Sequence, residues 1–219
     1  MNIVILGAAN STHIVKIANS LANRGHYITV ISLPNHRDEN GLIKSKVIYL
    51  KFGGTKGYYL NAFIVKRILK SLRADILNTH YASGYGTLAR LTGFMPYVLS
   101  VWGSDVYSFP YESKAKRIIV ERNVNAASLI MSTSCCMANE TRKLLKKNTE
   151  IVITPFGVDL KKFYPLSKRK KTEDDSVTIG FLKGSSAIYG IDLFLDVIDM
   201  VLDILQKKNI LFKIKICGT

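Results

Sequence analysis

The stretch that organises this chain runs from Ile151 to Pro165 and reads IVITPFGVDLKKFYP. Three apolar residues with high strand propensity come shortly before Pro155, so the pattern predicts a strand that ends there. Gly157 follows, and because a glycine can turn at positive φ without a Cβ clash, a turn is predicted. Phe163 and Tyr164 then predict an apolar anchor that closes the segment. In physical terms the stretch is a strand followed by a loop, which would suit any α/β protein.

The whole string closely resembles the P-x-G-V-D-x-x-x-F-x-P signature of retaining nucleotide-sugar glycosyltransferases with the GT-B fold, those similar to glycosyltransferase family 4. The matching positions are Pro155, Gly157, Val158, Asp159, Phe163 and Pro165. In that family the segment joins an acceptor domain to a donor domain, and both domains are Rossmann-like. The resemblance therefore implies a Rossmann-like acceptor-side domain over residues 1–165, with Gly157 among its substrate-binding residues.

The beginning of the chain predicts a β-loop-α-β unit. Residues 2–6 have the pattern of a buried strand, residues 13–23 have helical spacing, and residues 26–33 predict a second strand. Such units build a doubly wound parallel sheet, so the predicted fold class is α/β and Rossmann-like. The loop after the first strand lacks G-x-G-x-x-G, so no nicotinamide or flavin cofactor is expected.

His13 stands at the start of the first helix, and the string LANRGHYITVIS resembles the family's L-x-x-x-G-H-x-V-x-V. In the family, the loop that precedes this helix lies near the sugar and the acceptor. The resemblance therefore implies that His13 and Asn10, which lies in that loop, bind substrate. The residues leave one alternative open, a solvent-exposed histidine at a helix start.

Two further strands are predicted to end at polar residues, where open α/β sheets bind ligands. His80 ends the first, and Trp102, Gly103 and Asp105 follow the second. ADILNTHYASGYG and YVLSVWGSDVY resemble the family's D-x-x-h-x-H and h-x-G-S-D segments, which line the cleft between its domains. The resemblance implies catalytic roles for His80 and Asp105 and substrate binding by Trp102 and Gly103, although the family often has histidine where Trp102 stands. A hydrogen-bonded core histidine and a helix-capping aspartate are the alternatives.

A second unit is predicted after a charged linker at residues 166–176, whose central part reads SKRKKTEDD. Residues 177–219 predict strand, helix and strand, and they resemble the start of the family's donor domain. There, a basic residue after the first strand and a lysine near a glycine hold the donor diphosphate. The resemblance implies that Lys183 and Gly190 bind the donor phosphates, although Ile188 and Tyr189 stand where the second lysine is expected. No segment corresponds to the family's later pair of glutamates, so we expect an incomplete donor domain and a chain that is inactive alone.

The composition is that of a folded protein with an unusual charge. Hydrophobic residues make up 47% of the 219 residues, enough for a sizeable core, and no apolar run reaches the roughly 18 residues of a spanning helix. The amino-terminal apolar run predicts a strand and not a signal peptide. Cys135, Cys136 and Cys217 do not have the spacing of a metal site or a disulfide framework, so we expect reduced, partly buried thiols in a cytoplasmic protein.

The formal net charge is +15, which suits nucleic acid, an anionic membrane surface or an anionic ligand as partner. The sequence has neither zinc-finger spacing nor an RNA-recognition motif, so no nucleic-acid partner is expected. Residues 58–73 predict one amphipathic helix with a basic face. That face is either solvated above a helix that packs on the sheet, or it contacts anionic lipid headgroups at the inner face of the cell membrane.

Together, the resemblance implies transfer of a sugar from a nucleotide-sugar to a glycan or lipid-linked acceptor, with retention and without a metal or cofactor. The alternative is a catalytically inactive binding or scaffold protein of the same fold.

Overall fold

The computed structural model describes residues 1–165, 176–184 and 187–217. They form two compact units, Met1–Gly157 and Val158–Thr219. The first unit thus ends at the glycine of the organising stretch, where Gly157 has the φ of +67° that the predicted turn requires. Apart from its last residue, the predicted linker at 166–176 lies outside the described residues, so the linker stays a prediction.

The first unit, which is described throughout, is built around a sheet of seven parallel strands. In chain order they are β1 (Asn2–Leu6), β2 (Tyr27–Ser32), β3 (Lys46–Tyr49), β4 (Ile76–His80), β5 (Tyr97–Val101), β6 (Leu129–Ser132) and β7 (Ile151–Ile153). Their order across the sheet is β3-β2-β1-β4-β5-β6-β7. The order reverses between β1 and β4, and such sheets bind ligands at the carboxyl ends of the strands at this point. The predicted Rossmann-like, doubly wound fold is confirmed.

Helices cover this sheet. They are α1 (Thr12–Asn23), α2 (Gly54–Leu60), α3 (Ala62–Ser71), α4 (Gly84–Thr92), α5 (Ser104–Tyr107), α6 (Lys114–Ala126) and α7 (Cys135–Arg142). Three of them begin after a serine whose hydroxyl accepts a backbone N–H of the first turn: Ser11, Ser113 and Ser134. This side-chain acceptor satisfies a donor that has no partner within the helix, which fixes where the helix begins.

The core lies on both faces of the sheet because the buried strands are apolar at successive positions. In β1, Val4 and Leu6 belong to the larger cluster, with side chains of α3, α4 and α6. Ile3 and Ile5 belong to the smaller cluster, with side chains of α1. The helices are therefore held by the apolar side chains that alternate along each strand.

The prediction of a single helix over residues 58–73 is wrong, because the chain forms two helices there, α2 and α3, which meet at Asn61. Its buried side-chain amide donates to the carbonyl oxygens of Phe52 and Gly57 at 2.8 Å, and its oxygen accepts the N–H of Phe52 at 3.3 Å. A polar side chain that bonds the nearby backbone competes with the helical ladder, which explains the break. The glycine-rich segment at residues 53–57 forms the beginning of α2. A Cβ on Gly57 would lie 2.4 Å from the carbonyl oxygen of Phe52, so the packing requires glycine there.

Helix α7 ends at Arg142, because the Asn125 side chain donates to the Leu144 carbonyl at 3.0 Å and accepts the N–H of Lys146 at 2.7 Å. Two smaller expectations are also wrong. Phe163 and Tyr164, predicted as an apolar anchor, are largely exposed. The three cysteines are free and exposed rather than partly buried, because Cys135 and Cys136 lie in the first turn of α7 and Cys217 follows β9.

The second unit contains β8 (Val177–Phe181), a 3-10 turn (Ala187–Tyr189), α8 (Ile191–Lys207) and β9 (Phe212–Ile216). β8 and β9 pair in parallel, with Val177 opposite Phe212, and the rings of Phe181 and Phe194 lie 5.1 Å apart between sheet and helix. The predicted strand-helix-strand pattern is therefore present. None of the described helices in either unit is both long enough and apolar enough to cross a lipid bilayer.

Candidate functional site

Four rings form a cluster beyond the carboxyl ends of β1, β4, β5 and β7. His13 stacks on Phe156 with centroids 3.7 Å apart and planes 13° apart. Trp102 lies between them and His80, with its centroid 5.3 Å from each histidine and 5.5 Å from Phe156. Because the strands are parallel, their carboxyl ends share one edge, and residues distant in sequence meet there. The structure thus brings together three of the predicted site residues, His13, His80 and Trp102.

His80 is the buried polar group of this cluster. Its side chain is 2% exposed, and neither Nδ1 nor Nε2 has a hydrogen-bond partner in the structure. Burial, with a smaller contribution from the charge of His13, lowers the pKa of His80 to about 3. The imidazole is therefore neutral at physiological pH, and it can donate one hydrogen bond and accept another. A buried polar group without a partner is costly, so His80 is suited to a polar ligand group and is not a hydrogen-bonded core histidine.

Lys16 holds the loop that carries Phe156. Its ammonium group, one helical turn beyond His13, donates to the carbonyl oxygens of Phe156 at 2.8 Å and Gly157 at 3.0 Å. Burial and the charge of Lys16 together lower the pKa of His13, which favours a neutral ring against Phe156. The predicted alternative of a solvent-exposed histidine is therefore not observed. Gly157 belongs to the same loop, and in the structure it provides the turn at positive φ.

Asp105 is completely buried, and its carboxylate accepts three backbone N–H groups. The donors are Ala82 at 2.7 Å, Gly103 at 2.8 Å and Trp102 at 3.1 Å. Burial raises the pKa of the carboxyl group, and these hydrogen bonds counter part of the effect. The carboxylate therefore fastens the loop after β4 to the loop after β5, and its oxygens are already occupied by the backbone. Gly103, at a φ of +152°, allows the tight turn around it.

Tyr81 follows His80 directly and has a φ of +83°, a strained conformation for a residue with a side chain. Its hydroxyl is hydrogen-bonded to that of Ser104, and its backbone N–H donates to the carbonyl of Ser100 at 2.9 Å. Strain of this kind costs about 1–3 kcal/mol and persists where the surroundings enforce it, often at functional sites. Here the hydrogen bonds to Ser100 in β5 and to Ser104 at the start of α5 hold Tyr81 in this conformation.

Two cavities lie near this edge of the sheet. One, of about 280 Å³, lies over the sheet beside α1, and its lining includes Ile17, Leu21, His80, Trp102, Met131 and Phe156. The other, of about 320 Å³, lies between the loops after β1 and β2, and its lining includes Asn10, Thr12, Asn35, Arg37, Asp38 and Glu39. Asn10 therefore lines a polar cavity that is separate from the aromatic one with His80.

The second unit carries the two residues predicted to bind donor phosphates. Gly190 precedes the first turn of α8 at a φ of +79°, and no side chain caps that helix. Lys183 lies with its ammonium group 5.4 Å from the ring centroid of Tyr189. Tyr189 therefore holds a cation near the amino end of α8, where the helix dipole favours anions. Within the described residues, no group of histidine, cysteine and acidic side chains could hold a metal ion.

Sequence reasoning missed Phe156, Lys16 and Tyr81. Phe156 stands next to the predicted Gly157, and Lys16 lies one helical turn after His13. Only these positions in the sequence could have indicated Phe156 and Lys16. The stacking of Phe156 and the hydrogen bonds of Lys16 depend on tertiary contacts that the sequence pattern does not reveal.

Comparison with known proteins identifies the family. A model of the family described as "Glycosyl transferase 4-like" matches residues 2–134, more than half of the chain and most of the first unit. The chain belongs to this family. The family prediction is thereby confirmed.

A relative from Bacillus subtilis (strain 168), described as "Putative teichuronic acid biosynthesis glycosyltransferase TuaC", is 29% identical over 108 residues. The alignment covers 46% of this chain and 27% of the relative, so the chain matches about a quarter of that protein's length.

Solved structures support the same fold. The sucrose-phosphate synthase of Thermosynechococcus elongatus aligns with a TM-score of 0.67 at 13% identity, over 100% of this chain and 70% of that one. The Anabaena protein Alr3699/HepE, solved in complex with UDP, aligns with a TM-score of 0.66 at 14% identity, over 98% and 69%. At such low identity the likeness concerns the fold alone.

Proposed function

We propose that this chain belongs to a retaining glycosyltransferase that transfers a sugar from a nucleotide-sugar to a glycan or lipid-linked acceptor. The observation that carries the proposal is His80: a neutral, buried imidazole without a protein partner, at the ligand-binding edge of a glycosyl transferase 4-like domain. Such a ring can hydrogen-bond a sugar hydroxyl without adding charge.

The aromatic cluster would supply the rest of the contact with the sugar. Trp102 and Phe156 offer apolar ring faces to the C–H groups of the sugar, and His13 is held against Phe156 by stacking. Asp105 would act as a positioning residue, because its oxygens hold the two loops and do not face a substrate. We propose that Asn10 and Gly103 contribute to substrate binding indirectly, by shaping the loops in which they lie.

We propose that the donor diphosphate binds at the amino end of α8 with Lys183, without a metal ion. A cation and the backbone N–H groups at a helix start favour the negative charge that develops on a leaving diphosphate. The description of the Bacillus relative supports a polysaccharide or its precursor as acceptor, and the Anabaena protein shows that this fold can hold a nucleoside diphosphate. We further propose that the protein is cytoplasmic and in peripheral contact with the inner face of the cell membrane, where a lipid-linked acceptor would be held.

The chain is expected to be inactive alone, so the test uses this chain fused to a complete donor domain of the same family. Transfer from labelled nucleotide-sugars to glycan and lipid-linked acceptors is compared between wild type and His80→Ala. Loss of a hydrogen bond that strengthens in the transition state is expected to lower kcat/KM by at least about tenfold. His26→Ala, at the opposite edge of the sheet, is the matched control and should keep the wild-type rate. NMR of the anomeric proton of the product reports retention.

Other outcomes would decide against the proposal. Nucleotide-sugar binding without transfer to any acceptor would favour the inactive binding or scaffold protein. Equal rates for His80→Ala and wild type would remove His80 from the mechanism.

A further inference from the structure

One segment of the first unit contains basic residues and no acidic residue. Residues 40–74 contain no aspartate or glutamate. The same segment contains eight basic residues: Lys44, Lys46, Lys51, Lys56, Lys66, Arg67, Lys70 and Arg73. It covers β3, α2 and α3, so half of its cations lie on two consecutive helices of one face.

The exposed side chains of α2 and α3 form a stripe, spaced three or four residues apart. We call it the α2–α3 stripe, and it consists of Lys56, Tyr59, Leu60, Phe63, Lys66, Arg67 and Lys70. The side chains on the opposite face of α3, such as Val65 and Leu69, are buried in the core. The stripe is therefore the outer face of helices that are firmly packed.

Apolar side chains stand in the middle of the cations. Leu60 is 55% exposed and Phe63 is 62% exposed, and Tyr59 beside them is exposed as well. The Arg67 guanidinium carbon lies 4.3 Å from the centroid of the Phe63 ring. The stripe thus presents a large apolar centre with a cation directly against it, and such centres on a surface mark interaction sites.

The cations in and near α6 and α7 differ, because several of them have acidic partners. Lys116 pairs with Glu112, Lys143 pairs with Glu140, and both Arg117 and Lys146 pair with Glu121. In the part of the chain that the structure describes, no cation of the α2–α3 stripe forms an ion pair. The positive field therefore stays uncompensated at the stripe and is partly cancelled at α6 and α7.

We propose that the α2–α3 stripe docks the protein on an anionic lipid surface. Lipid phosphates pair with the cations, while Leu60 and Phe63 reach the boundary of the acyl chains, as in interfacial amphipathic helices. A nucleic acid would match the cations but would leave the exposed leucine and phenylalanine unused. The inference extends the proposed function, because it names the surface that brings a lipid-linked acceptor to the domain.

The test is co-sedimentation with vesicles of phosphatidylcholine and an increasing fraction of phosphatidylglycerol, without donor or acceptor. Its result is therefore independent of any transferase activity. The full chain carrying Lys66→Gln, Arg67→Gln and Lys70→Gln is expected to partition about a hundredfold more weakly at low salt, since each cation contributes roughly fivefold. The matched control carries Lys114→Gln, Arg122→Gln and Lys147→Gln, which remove the same charge from α6 and from the segment after α7, and it should bind much more tightly than the stripe variant.

A second variant separates lipid insertion from simple charge attraction. Leu60→Ser with Phe63→Ser keeps every charge, and it is expected to weaken binding by about tenfold or more. Both side chains are exposed, so the fold should be retained, as circular dichroism will report.

Three results would overturn the proposal. They are equal loss in the stripe and control variants, unchanged binding after the serine substitutions, and tighter binding to duplex DNA than to anionic vesicles at the same salt concentration.

Discussion

The burial of His80 predicts how the stability of the first unit depends on pH. The pKa of this imidazole is about 3 in the folded protein, against 6.5 for an ordinary histidine. Between these values the unfolded chain binds a proton that the folded chain does not bind, so stability falls as the pH falls. One pKa unit corresponds to about 1.4 kcal/mol, so the full penalty reaches about 5 kcal/mol near pH 3.

The perturbation that isolates this effect is His80→Gln, which keeps a polar side chain of similar length but cannot titrate. Urea unfolding can be followed by the fluorescence of Trp102, the single tryptophan, whose ring lies 5.3 Å from that of His80. Below pH 6.5 the wild type is expected to lose about 1.4 kcal/mol more per pH unit than the variant does. Other titrating groups contribute to both proteins and largely cancel in the difference.

The control is His26→Gln, since His26 lies outside the site. It should follow the wild-type curve. If the curves of wild type and His80→Gln run parallel from about pH 7 to about pH 4, the imidazole does not stay neutral through burial, and the reasoning about its chemistry fails with it.

Three further substitutions test the framework around the site. Asp105→Ala should lower the free energy of unfolding by about 3 kcal/mol or more, because three backbone N–H groups lose their acceptor; urea titration measures this, and a loss below about 1 kcal/mol would contradict it. Asn61→Ala should cost about 1–3 kcal/mol in the same assay, since the backbone N–H and carbonyl of Phe52 lose their partner, and a neutral effect would show that the Asn61 side chain does not stabilise the junction of α2 and α3. Lys16→Met should speed amide hydrogen exchange at residues 156–157 while β1 stays protected, and unchanged exchange would show that the lysine does not hold that loop.

The sheet could be predicted from the sequence because its signals are local. Short apolar runs separated by helical patterns predict parallel strands with crossover helices, and that alternation is read directly from the chain. The placement of His80, Trp102 and Asp105 at strand ends followed from the same pattern. These residues meet at one edge because the strands are parallel, so their proximity could also be predicted from the sequence.

The remaining features depend on contacts between distant residues. The break at Asn61 requires knowing that its amide meets the backbone of Phe52, and the helical start at Gly54 requires the close approach of Gly57 to that same residue. From the sequence, a carboxylate that follows a strand could equally be a catalytic base or an acceptor that holds loops together, which we call a brace. Only the three N–H groups around Asp105 distinguish the two.

The brace at Asp105 also bears on how this domain can change over evolutionary time. One carboxylate gathers amides from two loops, so an insertion or deletion in either loop would pull an amide out of its reach. Changes in loop length are thereby disfavoured, and we expect new ligand preferences to arise from exchanges of the side chains that those loops display. Anyone who grafts this edge onto another scaffold would need to move both loops and Asp105 together, as a single cassette.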